Sequence, residues 1–179
     1  KRWDKLFAHE LLQRLHIRSI VDIGCGEGDM LAYARDSSIA ALGVEINTAA
    51  TQAAKAKGLD VRHPDTLPAI WPHRVEALLM LQVLEHISDP LDFLRAQLAR
   101  YQPERLILSA PCHQSVLGLS SDPLSWPPHH ITAWSPLAFQ TLAQKINYEI
   151  EAIHLEPLSA NALVHFARRE PTARLPGLA

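Results

Sequence analysis

Val21-Asp22-Ile23-Gly24-Cys25-Gly26-Glu27-Gly28 is the stretch on which the fold turns. A β-rich run, Ser19 to Ile23, ends in three alternate glycines, and Asp29 to Arg35 then reads as a helix. Each glycine lacks a Cβ, so the chain can turn tightly and bring the amides at the next helix start close to a ligand. The competing reading is a tight structural turn with no ligand. A diphosphate-binding loop would read G-x-G-x-x-G, and the position that needs its third glycine is Asp29. Asp22, Glu27 and Asp29 also ring the loop with carboxyl groups, which suits a cationic or zwitterionic ligand better than a diphosphate.

Downstream, Ala41 to Ile46 is a second short apolar run that completes a βαβ unit, and Glu45 stands at its end, 19 residues beyond Gly26. A carboxylate there reaches a ribose, and its two oxygens accept from both the 2′- and 3′-hydroxyls. The alternative is a solvated carboxylate that caps a helix.

The same alternation continues outward. Trp3, Phe7, Leu11 and Leu15 recur every four residues, joined by Leu6 and Leu12, and predict an amphipathic helix before the first strand. A helix over Thr48 to Lys57 has Asn47 or Thr48 as N-cap and Gly58 as terminator. Further strands are expected at Val61 to His63, Glu76 to Leu81, Arg105 to Ala110, Tyr148 to His154 and Ala162 to Ala167. Ser88-Asp89-Pro90 and Ser135-Pro136 supply a cap followed by proline at the first helical position, for helices to about Tyr101 and over Leu137 to Lys145. Strands alternating with helices of this length imply a doubly wound, mostly parallel seven-stranded α/β sheet with helices on both faces. Cys112 to Trp134 breaks the rhythm: it carries Pro123, Trp126, Pro127, Pro128, Trp134 and three histidines. Unpatterned connections of that length are often lids or binding loops, and this one leaves the carboxyl edge of a parallel strand, where such sheets bind ligands.

With 179 residues, 47% hydrophobic and 20% charged, the composition is that of one globular domain over 1–179, with an N-terminal helix in 1–16 and a substrate-side loop or lid at 112–134. A formal net charge of −2 gives no general attraction to polyanions, so no nucleic-acid partner is expected. Cys25 and Cys112, outside any C-x-x-C spacing, read as free thiols of a reduced, cytoplasmic protein. No stretch approaches the roughly 18 apolar residues of a membrane span. Ten histidines invite a metal reading, yet none forms H-E-x-x-H or a Cys/His set. His129 and His130 on an extended segment would point to opposite sides, so no metal is expected.

Taken in order, Asp22-x-Gly24-x-Gly26-x-Gly28 with Gly43-Val44-Glu45 resembles the first two motifs of the class I S-adenosylmethionine-dependent methyltransferases. Leu84-Glu85-His86-Ile87-Ser88-Asp89-Pro90 resembles the segment after the fourth strand in the branch with ubiquinone-biosynthesis O-methyltransferases. Trp126-Pro127-Pro128-His129-His130 with Trp134-Ser135-Pro136 resembles later parts of related bacterial members. The resemblance runs from about Ile17 to Arg169. It implies that S-adenosylmethionine is bound, that S-adenosylhomocysteine is the product, and that a small molecule is the methyl acceptor. It also implies that Gly24, Cys25, Gly26 and Gly28 pass under the methionine part, with Asp22 holding the loop and the amino group. Glu45 would hold the ribose, Ile46 would pack on the adenine, and Asp65 with Thr66 would meet the adenine edge. Gln82 and Val83 would line the cleft. Asn147-Tyr148 stands where the family usually has Gly-Phe, and asparagine also tolerates a left-handed helix end.

If the acceptor is a hydroxyl or an acidic carbon, a base is needed, and His86, His129 and His130 are the candidates. His86 either contacts substrate or packs against the helix beginning near Pro90; Trp126 and Trp134 either face the ligand or anchor the long segment. Two rival functions stand beside the methyltransferase reading. A non-catalytic S-adenosylmethionine-binding module fits the same residues. A nucleotide-linked oxidoreductase or epimerase fits less well, because it needs a third glycine at position 29 and a Tyr-x-x-x-Lys pair. The acceptor and the oligomeric state do not follow from these residues.

Overall fold

Short apolar strands whose successive side chains go to opposite, covered faces build the centre of the molecule. In β4 (Ala77–Leu81), Leu78 and Met80 join one cluster of buried side chains while Ala77, Leu79 and Leu81 join another, so the strand is covered on both faces. The computed structural model describes residues 2–112, 127–156 and 161–169. Its other strands are β1 (Ser19–Ile23), β2 (Ala40–Val44), β3 (Val61–Arg62), β5 (Arg105–Pro111), β6 (Tyr148–Leu155) and β7 (Asn161–Arg168). They form one seven-stranded sheet in the order β3-β2-β1-β4-β5-β7-β6. Strands β1 to β5 run parallel, and β7 is antiparallel to both β5 and β6.

Helices α1 (Trp3–Arg14) and α2 (Asp29–Asp36) cover one face, through Ala8, Leu11, Leu12, Met30 and Ala34. Helices α4 (Pro90–Tyr101) and α5 (Pro136–Ile146) cover the other, through Leu94, Tyr101, Phe139 and Leu142. Helix α3 (Thr48–Ala56) sends Ala54 to a third cluster with Leu31 and Val61.

The caps explain the helix starts. Asn47 is the N-cap of α3, its side chain accepting from Ala50 N, and Ser135 caps α5 by accepting from Ala138 N. For α4 the cap is Asp89 and not Ser88, since its carboxylate accepts from Asp92 N, and Pro90 follows at the first helical position. Asn147 ends α5 at φ +59, as its left-handed tolerance suggested. Strand β2 stops at Val44, one residue before Glu45, because the chain leaves the sheet to start the Asn47 cap. Leu6, expected on the apolar stripe of α1, is exposed, and Asp4 is buried in its place.

Strand order reverses between β1 and β4: the connection from β1 goes to β2 on one side, while β4 lies on the other. The carboxyl ends of these two strands are where an open α/β sheet takes its ligand. On the same edge, Cys112 and Trp134 pair in a parallel bridge, so the chain leaving β5 returns beside its point of departure. Of the segment expected to be a substrate-side loop, 113–126, with Trp126, lies outside the described residues.

Candidate functional site

The loop after β1 is fastened to the end of β2. Gly24 N and Cys25 N donate to Val44 O at 2.8 and 3.4 Å, and Gly28 N donates to Cys25 O at 3.0 Å. Gly24, Gly26 and Gly28 all have positive φ, +72°, +56° and +85°, a region that a side chain makes costly. Their surroundings differ. A Cβ on Gly24 would lie 2.7 Å from Val83 Cγ2, and one on Gly28 would lie 2.5 Å from Leu59 Cδ1, so these two exist to let neighbours pack. Among the described residues, a Cβ on Gly26 would meet nothing within 4 Å, so of these three glycines Gly26 is the one with open space before it.

Glu45 borders that space. Its Oε2 accepts from Gly26 N at 2.8 Å and its Oε1 from Asn47 N at 2.7 Å. Each carboxylate oxygen has a second lone pair to offer. Ile46, next in sequence, is 74% exposed, an apolar side chain left uncovered at the edge of the site. Cys25 is buried with its Sγ directed to Gly26 O at 3.7 Å. Burial and the nearby Asp22 push its thiol up to about 12, so it is a packing group and not a nucleophile.

Two of the three carboxyl groups around the loop are engaged by lysines that the motif does not include. Lys5 of α1 pairs with Asp29 at 2.6 Å and holds its carboxyl below the usual range, while Lys57 Nζ donates to Glu27 O at 2.9 Å and lies 3.4 Å from its Oε2. Asp22 is different. It is 3% exposed in the middle of β1, and burial raises its carboxyl to about 7, with Lys5 and Arg2 pulling it down and Glu45 and Asp29 pushing it up.

Helix α1 belongs to the site as well. Asp4 accepts two hydrogen bonds from Arg2, at 3.0 and 2.8 Å, and one from Ser109 Oγ of β5 at 2.8 Å. Gln82 Nε2 donates to the same Ser109 Oγ at 3.3 Å, and Gln82 N to Ser109 O at 2.9 Å. The network ties the start of α1 to the ends of β4 and β5. Gln82 sits at φ +63, a left-handed residue placed where β4 ends.

After Gln82 the chain makes a 3-10 turn, Leu84–His86, which the apolar pattern did not announce. The returning segment packs on it: Ile131 N and Thr132 N both donate to Glu85 O, at 2.8 and 3.2 Å, and Thr132 Oγ1 donates to Leu84 O at 2.9 Å. Residues 127–129 form a turn and are not extended, so His129 and His130 do not simply face opposite ways. His129 offers its carbonyl to His86 Nδ1 at 2.7 Å, and the His130 ring lies edge-on to the His86 ring with centroids 5.0 Å apart. Two of the three candidate histidines, His86 and His130, thus bring their rings together, and His129 contributes backbone. Glu85, which the sequence reading gave no role, is 1% exposed and pushed up to about 7 by burial.

Asp65 and Thr66 lie in a 3-10 turn after β3. The Asp65 side chain is 86% exposed, 3.4 Å from His63 Nδ1, and Thr66 Oγ1 donates back to His63 O at 2.7 Å. Trp134 is buried, stacked on Phe139 with centroids 4.9 Å apart, and acts as an anchor. Sequence reasoning missed Arg2, Asp4, Lys5, Ser109 and Glu85. Only Asp4 carried a signal, as an acid on the apolar side of an amphipathic pattern.

A family model described as a methyltransferase domain matches residues 2–153. The ubiquinone biosynthesis O-methyltransferase of Nitrosospira multiformis is 26% identical over an alignment of 91 residues that covers 46% of this chain and 38% of that protein. The chain therefore matches well under half the length of that relative. Among solved structures, the magnesium protoporphyrin IX methyltransferase of Synechocystis PCC 6803 with bound S-adenosylhomocysteine superposes with a TM-score of 0.71 at 13% identity, over 92% of this chain and 82% of that one. The mitomycin 7-O-methyltransferase MmcR superposes with a TM-score of 0.71 at 18% identity, over 93% of this chain and 54% of that one. At these identities the superpositions establish the shared fold. Among the described residues, no helix is long and apolar enough to cross a membrane.

Proposed function

Since the chain belongs to the methyltransferase-domain family, we propose that it binds S-adenosylmethionine at the loop after β1 and transfers the methyl group to a small-molecule acceptor. The observation that carries this reading is the open space before Gly26, bordered by the Glu45 carboxylate and the uncovered Ile46. Glu45 takes the ribose hydroxyls on its remaining lone pairs, Ile46 covers the adenine, and Asp22 answers the ammonium group. Asp65 and Thr66, on the turn after β3, complete the adenine end, and Gln82 and Val83 line the cleft.

When bound, S-adenosylmethionine supplies a methyl group already activated by its sulfonium. The protein then has to align the acceptor and exclude water, and orientation supplies much of the rate. Acceptor recognition falls to the turn Leu84–His86 and to 129–134, packed on it. A hydroxyl acceptor must lose its proton there, and His86, His130 and Glu85 are the titratable groups in place. The chain acts as one domain, supported by a single sheet that gathers strands from residue 19 to residue 168. A cytoplasmic location is supported by two free, buried cysteines, and the absence of a nucleic-acid partner by the net charge of −2.

Isothermal titration tests the reading. S-adenosylmethionine and S-adenosylhomocysteine should bind in the micromolar range and NAD should not bind; the reverse preference removes the proposal.

A further inference from the structure

Glu85, His86 and His130 each offer one metal-ligating atom, and the three atoms lie within 4.8 Å of one another. A carboxylate and two imidazoles are the donors that hold zinc in hydrolytic sites and iron(II) in oxygenases, three protein ligands with coordination positions left over. The state of each member fits that use. Among the described residues, neither carboxylate oxygen of Glu85, both buried on a residue 1% exposed, has a hydrogen-bond partner. An acid in that position is costly unless a cation or a donor meets it, and buried side-chain oxygens in folded proteins nearly always have a partner.

His86 is prepared in the way metal-bound histidines are. Its Nδ1 sits 2.7 Å from the carbonyl oxygen of His129, so Nδ1 carries the hydrogen and the neutral ring keeps its lone pair on Nε2. A backbone carbonyl on the far nitrogen fixes tautomer and ring orientation, the arrangement that supports metal ligands from behind. His130 arrives from the returning segment, whose neighbours Ile131 and Thr132 are bonded to Glu85 O, so one set of backbone contacts holds both sides of the trio in register.

We propose that Glu85, His86 and His130 bind one divalent first-row transition-metal ion at the carboxyl edge of β4. The assignment stands on the trio alone and does not depend on methyl transfer. One consequence does rest on that reading: a hydroxyl of the acceptor placed in an open coordination position would have its pKa lowered by the ion. Sequence spacing hid this site because two ligands come from one turn and the third from a segment more than forty residues later.

The test uses the whole chain, stripped with a chelator and titrated with Co2+ while visible absorption is followed, alongside Zn2+ and Mn2+ by calorimetry. One equivalent should bind and produce cobalt ligand-field bands. Glu85→Gln and His130→Ala should each weaken binding by roughly tenfold or more, since even the groups that support a ligand contribute ten- to hundredfold. Circular dichroism and titration with S-adenosylmethionine establish that each variant is folded; if Glu85→Gln does not fold, His130→Ala decides. No stoichiometric cobalt spectrum, or equal affinity in a folded variant, overturns the site. Because cofactor binding is read separately, failure of the metal site and failure of the methyltransferase reading give different results.

Discussion

The carboxylate of Glu45 holds Gly26 by its backbone, Oε2 to Gly26 N at 2.8 Å, while the other oxygen holds Asn47 N at 2.7 Å. One side chain therefore fixes both the glycine that faces open space and the start of α3. Two kinds of loss are combined in Glu45→Ala: an acceptor for the ligand and a brace for the loop. Affinity for S-adenosylhomocysteine should fall more than tenfold by calorimetry, and an unchanged dissociation constant would remove the ribose assignment.

Glycines with different neighbours should fail differently. Gly26→Ala places a methyl in open space at φ +56, costing about 1–2 kcal/mol of stability for the left-handed backbone but blocking the ligand. In Gly43→Ala the new Cβ meets Leu31 Cδ1 at 2.5 Å and Cys25 Sγ at 2.6 Å, an overpacking cost of about 1–3 kcal/mol. Thermal melts and cofactor titrations should separate them: binding lost with a modest melt shift for Gly26→Ala, a lowered melt with residual binding for Gly43→Ala.

Asp22 makes stability and binding respond to pH in opposite ways. Its carboxyl is raised from 3.8 to about 7 in the fold, so the folded state binds the proton more tightly and the associated stability falls away between about pH 4 and pH 7. The groups around it are Lys5 of α1, Arg2 at the N-cap of that helix, Glu45 after β2 and Asp29 of α2. Asp22→Asn should stabilise the ligand-free protein above pH 7, on the order of 4 kcal/mol, and give no gain near pH 4. Wild-type affinity for S-adenosylmethionine should rise from pH 6 to pH 8 as Asp22 ionises to meet the ammonium group, and Asp22→Asn should flatten that rise. A rise of the same slope in Asp22→Asn would contradict the pairing.

His154 and His165 stack with centroids 5.6 Å apart beneath α1, and burial holds both below the usual histidine value. His165 Nδ1 faces Glu151, which Arg105 also engages; Arg14 lies near both histidines and Glu10 near His154. The unfolded chain therefore binds protons more readily, and stability present above about pH 6.5 is lost on acidification. His154→Phe, with Phe7 already 4.3 Å away, should make the fall in melting temperature between pH 7.5 and pH 5.5 shallower than in wild type. An identical slope would show that the pair does not titrate in this range.

The sheet was legible because each buried strand is a short apolar run and each helix begins at a residue able to accept from its own first turn, as Asn47, Asp89 and Ser135 do. The antiparallel return of β7 was not, since a run covered on both faces looks the same in either direction. At the site, Gly26 and Glu45 could be read from spacing because strand ends fix their separation. The Arg2-Asp4-Ser109 network and the Glu85, His86, His130 trio could not, because their members lie 105 residues apart for Asp4 and Ser109 and meet only when α1 and the returning segment dock.

The bridge between Cys112 and Trp134 closes the base of everything that lies between them. A stretch whose two ends are already pinned together can be rewritten or lengthened with little penalty to the scaffold, since doubling a loop costs only about 0.6 kcal/mol in closure entropy. The interval can therefore change in sequence or length without disturbing β5 before it or α5 after it.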